Sequence, residues 1–341
     1  MRRMSLRVSY DETETIGGAE MLYHVVSYKE LPSRLRINGL PCTNKADAGQ
    51  HLLRDAHEFH YQEASDYIYT CYGSRPRAPA LHEYGPWLVE TAPFFVEVER
   101  NEFAGWTKED KVLPKEISIG QRKFIRAFDR YYFGVNLNDG EIRFVFDYMA
   151  PTYEADINYW MNLDVNGRLL DSIATFDLPM PTGGKPVEIL DYGVGTGICA
   201  NAQCHLKEDT WGDWGIVGLD VSREMVKQAR QKRREEDPES LLLDAYEIKE
   251  GVAPIPSASF SAAMACFTVQ YFLDPRPYRE IHRLLIQGAP FVCNVLLNEM
   301  NRIESYAKQV GLILQKGHRQ ELDYEVRGQP VFLLAFIKEA K

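Results

Sequence analysis

A doubly wound α/β sheet with an antiparallel last strand is predicted for residues 187–339, and three observations predict it. Six apolar strand patterns alternate there with helix-compatible stretches. The first strand runs straight into three glycines spaced two apart, in "VEILDYGVGTGI" at 187–198. The last two strand patterns flank "RGQP" at 327–330, the composition of a tight hairpin turn.

The glycine turn comes first in the chain. Gly193, Gly195 and Gly197 leave no Cβ on a strand-to-helix turn, so a ligand can lie directly on the backbone. Dinucleotides and S-adenosylmethionine both favour such a turn. The dinucleotide fingerprint G-x-G-x-x-G/A needs a small residue at 198, where this chain has Ile198, so a nicotinamide or flavin loses most of its weight. The D-x-G-x-G-x-G pattern starting at Asp191 instead resembles motif I of the class I S-adenosylmethionine-dependent methyltransferases.

Downstream spacing supports nucleoside binding. The second strand pattern, "IVGLDV" at 216–221, ends at Asp220 and Val221, with Asp220 lying 23 positions beyond Gly197. An acid at that strand tip can accept the two hydroxyls of a ribose. Ser222 then reads as the N-cap of a helix whose apolar stripe is Met225, Val226 and Ala229. Its run "RQKRR", followed by "EED", reads as a solvated helix face. A third pattern, "LLLDAYEI", contains Asp244 and Ala245; a fourth runs from Ser261 to Phe267; Gly288 sits at the turn before a fifth.

The resemblance implies a Rossmann-like seven-stranded sheet and a set of roles. Gly193, Gly195 and Gly197 would pass backbone under the methionine and ribose, and Asp191 would help to hold the amino group. Asp220 with Val221 would hold the ribose, Asp244 with Ala245 the adenine, and Phe267 would sit near the methionine end. The family commonly has aspartate after the phenylalanine of the fourth turn, where this chain has Ser261 after Phe260. The seam "FDYMAPTYEADINYW" resembles the entry segment of small-molecule methyltransferases through Phe146, Asp147, Ala150 and Tyr153. Tyr148, Tyr153, Tyr159 and Trp160 are candidates to line an acceptor pocket, with Tyr148 and Tyr153 taken as substrate residues.

Two domains are expected, residues 1–145 as an α+β cap, substrate or dimerisation domain and residues 146–341 as the methyltransferase domain. In the first, 46–69 and 118–134 read as helices, and Asp139-Gly140 as the turn of a hairpin over 135–146. His51, His57 and His60 read as ordinary histidines, because "HEFH" is one residue short of a zincin pattern; no metal is expected.

Composition narrows the partners. The net charge of −10 divides into −3 over residues 1–150 (19 basic, 22 acidic) and −7 over the rest (20 basic, 27 acidic). Neither half has the positive balance of a nucleic-acid reader. No apolar run nears the ~20 residues of a membrane span. Six cysteines without a C-x-x-C pair, and a start lacking the apolar centre of a signal peptide, point to the cytoplasm. The expected acceptor is a small molecule, with homodimer formation left open. By layout, a large extension before the class I domain is similar to enzymes that C-methylate 2-oxo acids such as 2-ketoarginine. Methylation of oxygen or nitrogen in another metabolite is the alternative. A noncatalytic S-adenosylmethionine-binding regulatory subunit is the reading from another class. No residue is assigned as a catalytic base.

Overall fold

The computed structural model describes residues 131–181, 186–205, 214–236, 241–326 and 328–339, together with 94–98, 116–119, 122–128 and short strands before them. The chain divides into two compact units, residues 1–145 and 146–341.

In the first unit, β1 (Leu6–Arg7) pairs with β2 (His24–Val25). A second sheet contains β3 (Leu35–Ile37), β4 (Leu40–Cys42), β5 (Phe59–His60), β6 (Phe95–Val98), β7 (Glu116–Ile119), β8 (Arg122–Arg126) and β9 (Tyr131–Gly134). Its order is β4-β3-β6-β9-β8-β7-β5, and every pair is antiparallel.

This corrects the helix expected over 118–134. Ile119 pairs with Arg122 in an antiparallel register, and the aromatic run Tyr131–Phe133 suits a buried strand better than a helix. Phe59 and His60 are likewise in a strand, whereas the rest of the helix expected over 46–69, with His51 and His57, lies outside the described residues.

The hairpin expected at Asp139-Gly140 is also replaced. Those residues open helix α1 (Asp139–Met149). The Asn138 side chain accepts from the Glu141 N–H at 3.0 Å, and the Glu141 carboxylate accepts from the Asn138 N–H at 3.0 Å. This reciprocal cap satisfies two amides that would otherwise be orphaned at a helix start, and it outweighs the turn propensity of Asp-Gly.

The second unit holds β10 (Glu188–Tyr192), β11 (Gly215–Asp220), β12 (Leu242–Glu247), β13 (Ala262–Ala265), β14 (Pro290–Leu296), β15 (Leu312–Leu314), β16 (Gln320–Val326) and β17 (Gln329–Lys338). The order is β12-β11-β10-β13-β14-β17-β15, and β16 also pairs with β17. The first five strands are mutually parallel, and β17 is antiparallel to β14. Leu314 lies opposite Phe336 and Gln320 opposite Leu333. Thus β15 and β16 follow one another along β17 and share the outer position, which gives eight strands in seven places.

Alternation along the strands sends side chains to two faces. Ile189, Met264 and Val292 pack with helices α2 (Tyr159–Ile173) and α3 (Arg223–Glu236). Leu190, Ala263 and Phe291 pack with α4 (Arg276–Leu284) and α5 (Met300–Gln309). Each fully buried Leu, Ile or Phe in these layers contributes roughly 1.5–3 kcal/mol. Both faces are therefore covered, as a parallel sheet requires. The hairpin expected around "RGQP" is β16–β17, with Gly328 at φ 71°. Among the described residues, no helix is long and apolar enough to cross a membrane.

Candidate functional site

The carboxyl ends of β10, β11 and β13 bring most of the sequence-predicted residues together. After Tyr192 the chain turns with φ of 90° at Gly193, 55° at Gly195 and 83° at Gly197. A Cβ on Gly193 would stand 2.2 Å from Thr268 Oγ1, and one on Gly197 would press at 3.3 Å on Ala229 of α3. Close packing thus explains two of the glycines. At Gly195 the nearest atom to a Cβ would be Tyr153 Cε1, at 3.8 Å. Gly195 alone has the open backbone approach that the sequence suggested for all three. The segment after the turn, Ile198–His205, is a 3-10 helix. Ile198 is buried in the core.

Asp191 is buried near the end of β10. Its Oδ1 has no hydrogen-bond partner. Burial pushes its carboxyl up to about 7; a hydrogen bond with Cys199 works against that rise, and the charge of Asp220 adds to it. An unpaired buried carboxylate oxygen is costly without a ligand. A cationic group there would satisfy it.

Asp220, the last residue of β11, is tied on both oxygens. Oδ2 accepts from the Gly195 N–H at 2.9 Å, and Oδ1 from the Ser222 N–H at 2.8 Å. Burial pushes its carboxyl up to about 6; the Ser222 and Gly195 amides pull it back, and Asp147 adds to the rise. Each oxygen keeps a further lone pair for a hydroxyl. Val221 is half-buried against the core beside it.

Ser222 caps α3 as expected, accepting from the Met225 N–H at 3.1 Å. Its hydroxyl donates to Asp147 Oδ1 at 2.6 Å, and that same oxygen accepts from the Glu224 N–H at 3.0 Å. In the sequence, Asp147 is marked only by the entry-segment pattern. Its work on a helix start 75 residues later leaves no spacing signal.

Asp244 is not brought to this edge. It lies opposite Val217, three residues before Glu247, which stands opposite Asp220. Its Oδ1 accepts from its neighbour Ala245 N–H at 2.8 Å and from Arg230 Nε at 2.9 Å. Burial works to raise its carboxyl, but the Ala245 amide and the Arg230 guanidinium hold it below the ordinary value. Ala245 is buried in the core. The adenine role expected of Asp244 and Ala245 is corrected accordingly. The strand pattern extends through Glu247, so the edge next to Asp220 is Glu247 and Ile248, whose N–H donates to the Asp220 carbonyl.

Phe267 follows β13 with φ of 50°, a left-handed conformation rare for an aromatic residue. Its N–H donates to Asn294 Oδ1 at 2.6 Å, which holds that backbone in place. The entry segment supplies a roof. Tyr153 stands next to Gly195 and packs edge-on with Phe146 at 6.3 Å, and Phe146 packs likewise with Tyr271 at 5.4 Å. Burial raises the Tyr153 hydroxyl well above its ordinary value, and neighbouring Tyr271 adds to the shift. Glu154 accepts from Thr196 Oγ1 and from Lys232 Nζ at 2.6 Å, joining the entry segment to the glycine loop and α3. Tyr148 lies half-buried on α1. Trp160 is 74% exposed, which corrects its expected place in a pocket lining.

A family model described as "Methyltransferase domain" matches residues 189–288. None of the curated proteins compared with the chain matches it. Similar solved structures include an S-adenosylmethionine-dependent methyltransferase from Aquifex aeolicus, at 15% identity over 55% of this chain and 97% of that one, with a TM-score of 0.42. A TehB-like S-adenosylmethionine-dependent methyltransferase from Corynebacterium glutamicum has 18% identity over 56% and 98%, with a TM-score of 0.39. The YcgJ protein of Bacillus subtilis has 15% identity over 51% and 98%, also with a TM-score of 0.39.

The domain match and the strand order agree: residues 189–288 match a methyltransferase domain, and the sheet that carries them is doubly wound with an antiparallel last strand. By that domain the chain is a methyltransferase, and the donor to be tested against its residues is S-adenosylmethionine, which would leave S-adenosylhomocysteine. The residues present fit that donor. The unpaired Asp191 oxygen suits an ammonium, Asp220 suits ribose hydroxyls, and Gly195 leaves room for the chain between them. The donor supplies an activated methyl on a sulfonium; the protein's part is to align a nucleophile with it and to exclude water, which in well-oriented systems contributes up to roughly 7–11 kcal/mol.

Proposed function

We propose that the protein methylates a small metabolite, and that the acceptor is a 2-oxo acid, such as 2-ketoarginine, methylated on carbon. The observation that carries the reading is the aromatic roof: Tyr153 beside Gly195, with Phe146 against it and Tyr271 against Phe146, sets aromatic faces over the glycine turn, a surface suited to a small molecule. The chain's net charge of −10 also disfavours a polyanionic acceptor. In this reaction the C3 proton of the 2-oxo acid leaves to a base, the enolate carbon takes the methyl, and neutral S-adenosylhomocysteine departs. Residues 146–341 bind the cofactor, and residues 1–145 are needed for turnover. The free thiols Cys199, Cys266 and Cys293 suit a reducing cytoplasm.

The test is transfer of labelled methyl from S-adenosylmethionine to a panel of 2-oxo acids, amines and hydroxy compounds. Carbon-bound label in a 2-oxo acid is expected. Label only on nitrogen or oxygen acceptors would overturn the acceptor class, and cofactor binding with no transfer to any small molecule would favour a regulatory subunit.

A further inference from the structure

Three asparagines stand where an apolar core is expected. Asn294 is the fifth residue of β14 and shares a face with Val292 and Leu296, which pack with Val165 and Leu169 of α2. Asn162 and Asn166 are one turn apart on α2. All three are at least nine-tenths buried. Their bonds fix which way each amide points. Asn294 must present Oδ1 to the Phe267 N–H, so Nδ2, a donor, faces the other way. Asn166 donates Nδ2 to the Asn162 carbonyl at 2.9 Å, which leaves its buried Oδ1 as an acceptor. The same carbonyl accepts from Cys266 Sγ at 3.9 Å. Both amides are thus anchored around the Cys266–Phe267 pair at the end of β13.

Asn294 Nδ2 and Asn166 Oδ1 have no partner. An amide that holds a loop with one end does not need to leave the other end unsatisfied in the core; a leucine with a rearranged loop would avoid the cost of roughly 1–3 kcal/mol per group. A ligand that arrives only during the reaction explains why both atoms are kept.

We infer that Asn294 Nδ2 donates to a carbonyl or carboxylate oxygen of the methyl acceptor, with Asn166 Oδ1 as the complementary acceptor for an N–H or O–H of the same molecule. This rests on the proposed small-molecule reaction and narrows it: the acceptor carries an oxygen beside the methylated atom. Asn294 is a specificity residue on this view, and Phe267 reports its position through the shared hydrogen bond.

The test uses the full chain saturated with S-adenosylhomocysteine and labelled with 15N-asparagine. The Asn294 side-chain NH2 signals are assigned by their loss in Asn294→Asp and followed while 2-ketoarginine or pyruvate is added. They are expected to shift and to exchange more slowly with solvent. Asn294→Asp keeps the acceptor for Phe267 N–H and replaces the amide donor by a carboxylate oxygen, which also brings a negative charge when ionised. Its KM for a 2-oxo acid should rise about tenfold or more, the size of one lost hydrogen bond to a charged group. Cofactor affinity should stay within about threefold. The KM defect relative to the native protein should narrow at low pH, where the variant's carboxyl is protonated and regains an O–H donor.

Amide signals that no 2-oxo acid moves would overturn the inference and leave a buried structural water as the partner of Nδ2. A native KM in the variant would overturn it too, while leaving the proposed reaction standing. Label transfer only to acceptors without a carbonyl, together with shifted signals, would sink the proposed reaction and keep the subsite.

Discussion

The two sides of the glycine turn are held by different chemistry. On the β11 side the fixed groups are carboxylates, and their ties are to backbone amides: Asp220 grips Gly195 and Ser222, while Asp147 grips Ser222 and Glu224. On the β14 side they are neutral amides, each using one end for structure. Charge-assisted bonds set a shape that stands without help from a ligand. Neutral amides in an apolar layer set a shape and keep a specific donor or acceptor in reserve. The difference teaches where the two proposed ligands separate: the cofactor toward charges at strand ends, the acceptor toward uncharged groups within the core.

The largest effect expected on the carboxylate side comes from packing. Gly193→Ala puts a Cβ into Thr268 at φ 90°, and should lower stability by about 2–4 kcal/mol, the sum of left-handed strain and overpacking. Gly195→Ala, whose Cβ meets nothing closer than 3.8 Å, should cost only about 1–2 kcal/mol in chemical denaturation. Equal costs would remove the distinction between packed and open glycines.

Next is Asp220→Ala. Losing a charged acceptor for the ribose should weaken S-adenosylhomocysteine binding by tenfold or more, about 1.4 kcal/mol or above. Because Asp220 also ties Gly195 and Ser222, the melting temperature should fall as well. Calorimetry showing native affinity would mean that the carboxylate side is purely structural.

The third test is pH. Asp191 and Asp220 have carboxyls raised to about 7 and about 6, so the folded apo protein holds protons that the unfolded chain gives up near pH 4. Their contribution to apo stability is full below that range and is lost as pH rises through 6–7. A cationic ligand favours the ionised forms, so its affinity should move the opposite way, falling by about tenfold between pH 7.5 and 5.5. Titration calorimetry in buffers of different ionisation enthalpy should show proton release on binding; no release would leave Asp191 out of cofactor binding.

The smallest effect is expected at Asp244. Asp244→Asn should leave cofactor affinity within about threefold and cost at most ~1 kcal/mol through the half-exposed Arg230 pair. A loss matching that of Asp220→Ala would restore the adenine role that the strand register denies it.

Legibility in the sequence follows the same division. Asp191, the three glycines, Asp220 and the Ser222 cap lie in contiguous stretches where strand, turn and helix signals reinforce one another. The register of β12 is not legible, because "LLLDAYE" carries no turn residue to mark its end, and Asp244 looks terminal only if the strand is cut short. Residues 118–149 mislead as to type: aromatic strands resemble a helix when their alternation is broken by Arg and Asp, and Asp-Gly signals a hairpin unless the Asn138–Glu141 cap is noticed. Glu154, Asn166 and Asn294 act across separations of 27 to 78 residues or through an unused atom, and neither leaves a local pattern.

The outer position of the sheet bears on assembly. Along β16, Glu321, Asp323 and Glu325 are exposed and alternate with the inward Leu322, Tyr324 and Val326. Were a second copy to add its own β16 antiparallel about Asp323, Glu321 would face Glu325, Asp323 would face Asp323, and Glu325 would face Glu321. Directly opposed like charges on adjoining strands destabilise pairing. The division of this position into β15 and β16 also keeps each free edge short. Pairing of two copies strand to strand through this margin is therefore disfavoured.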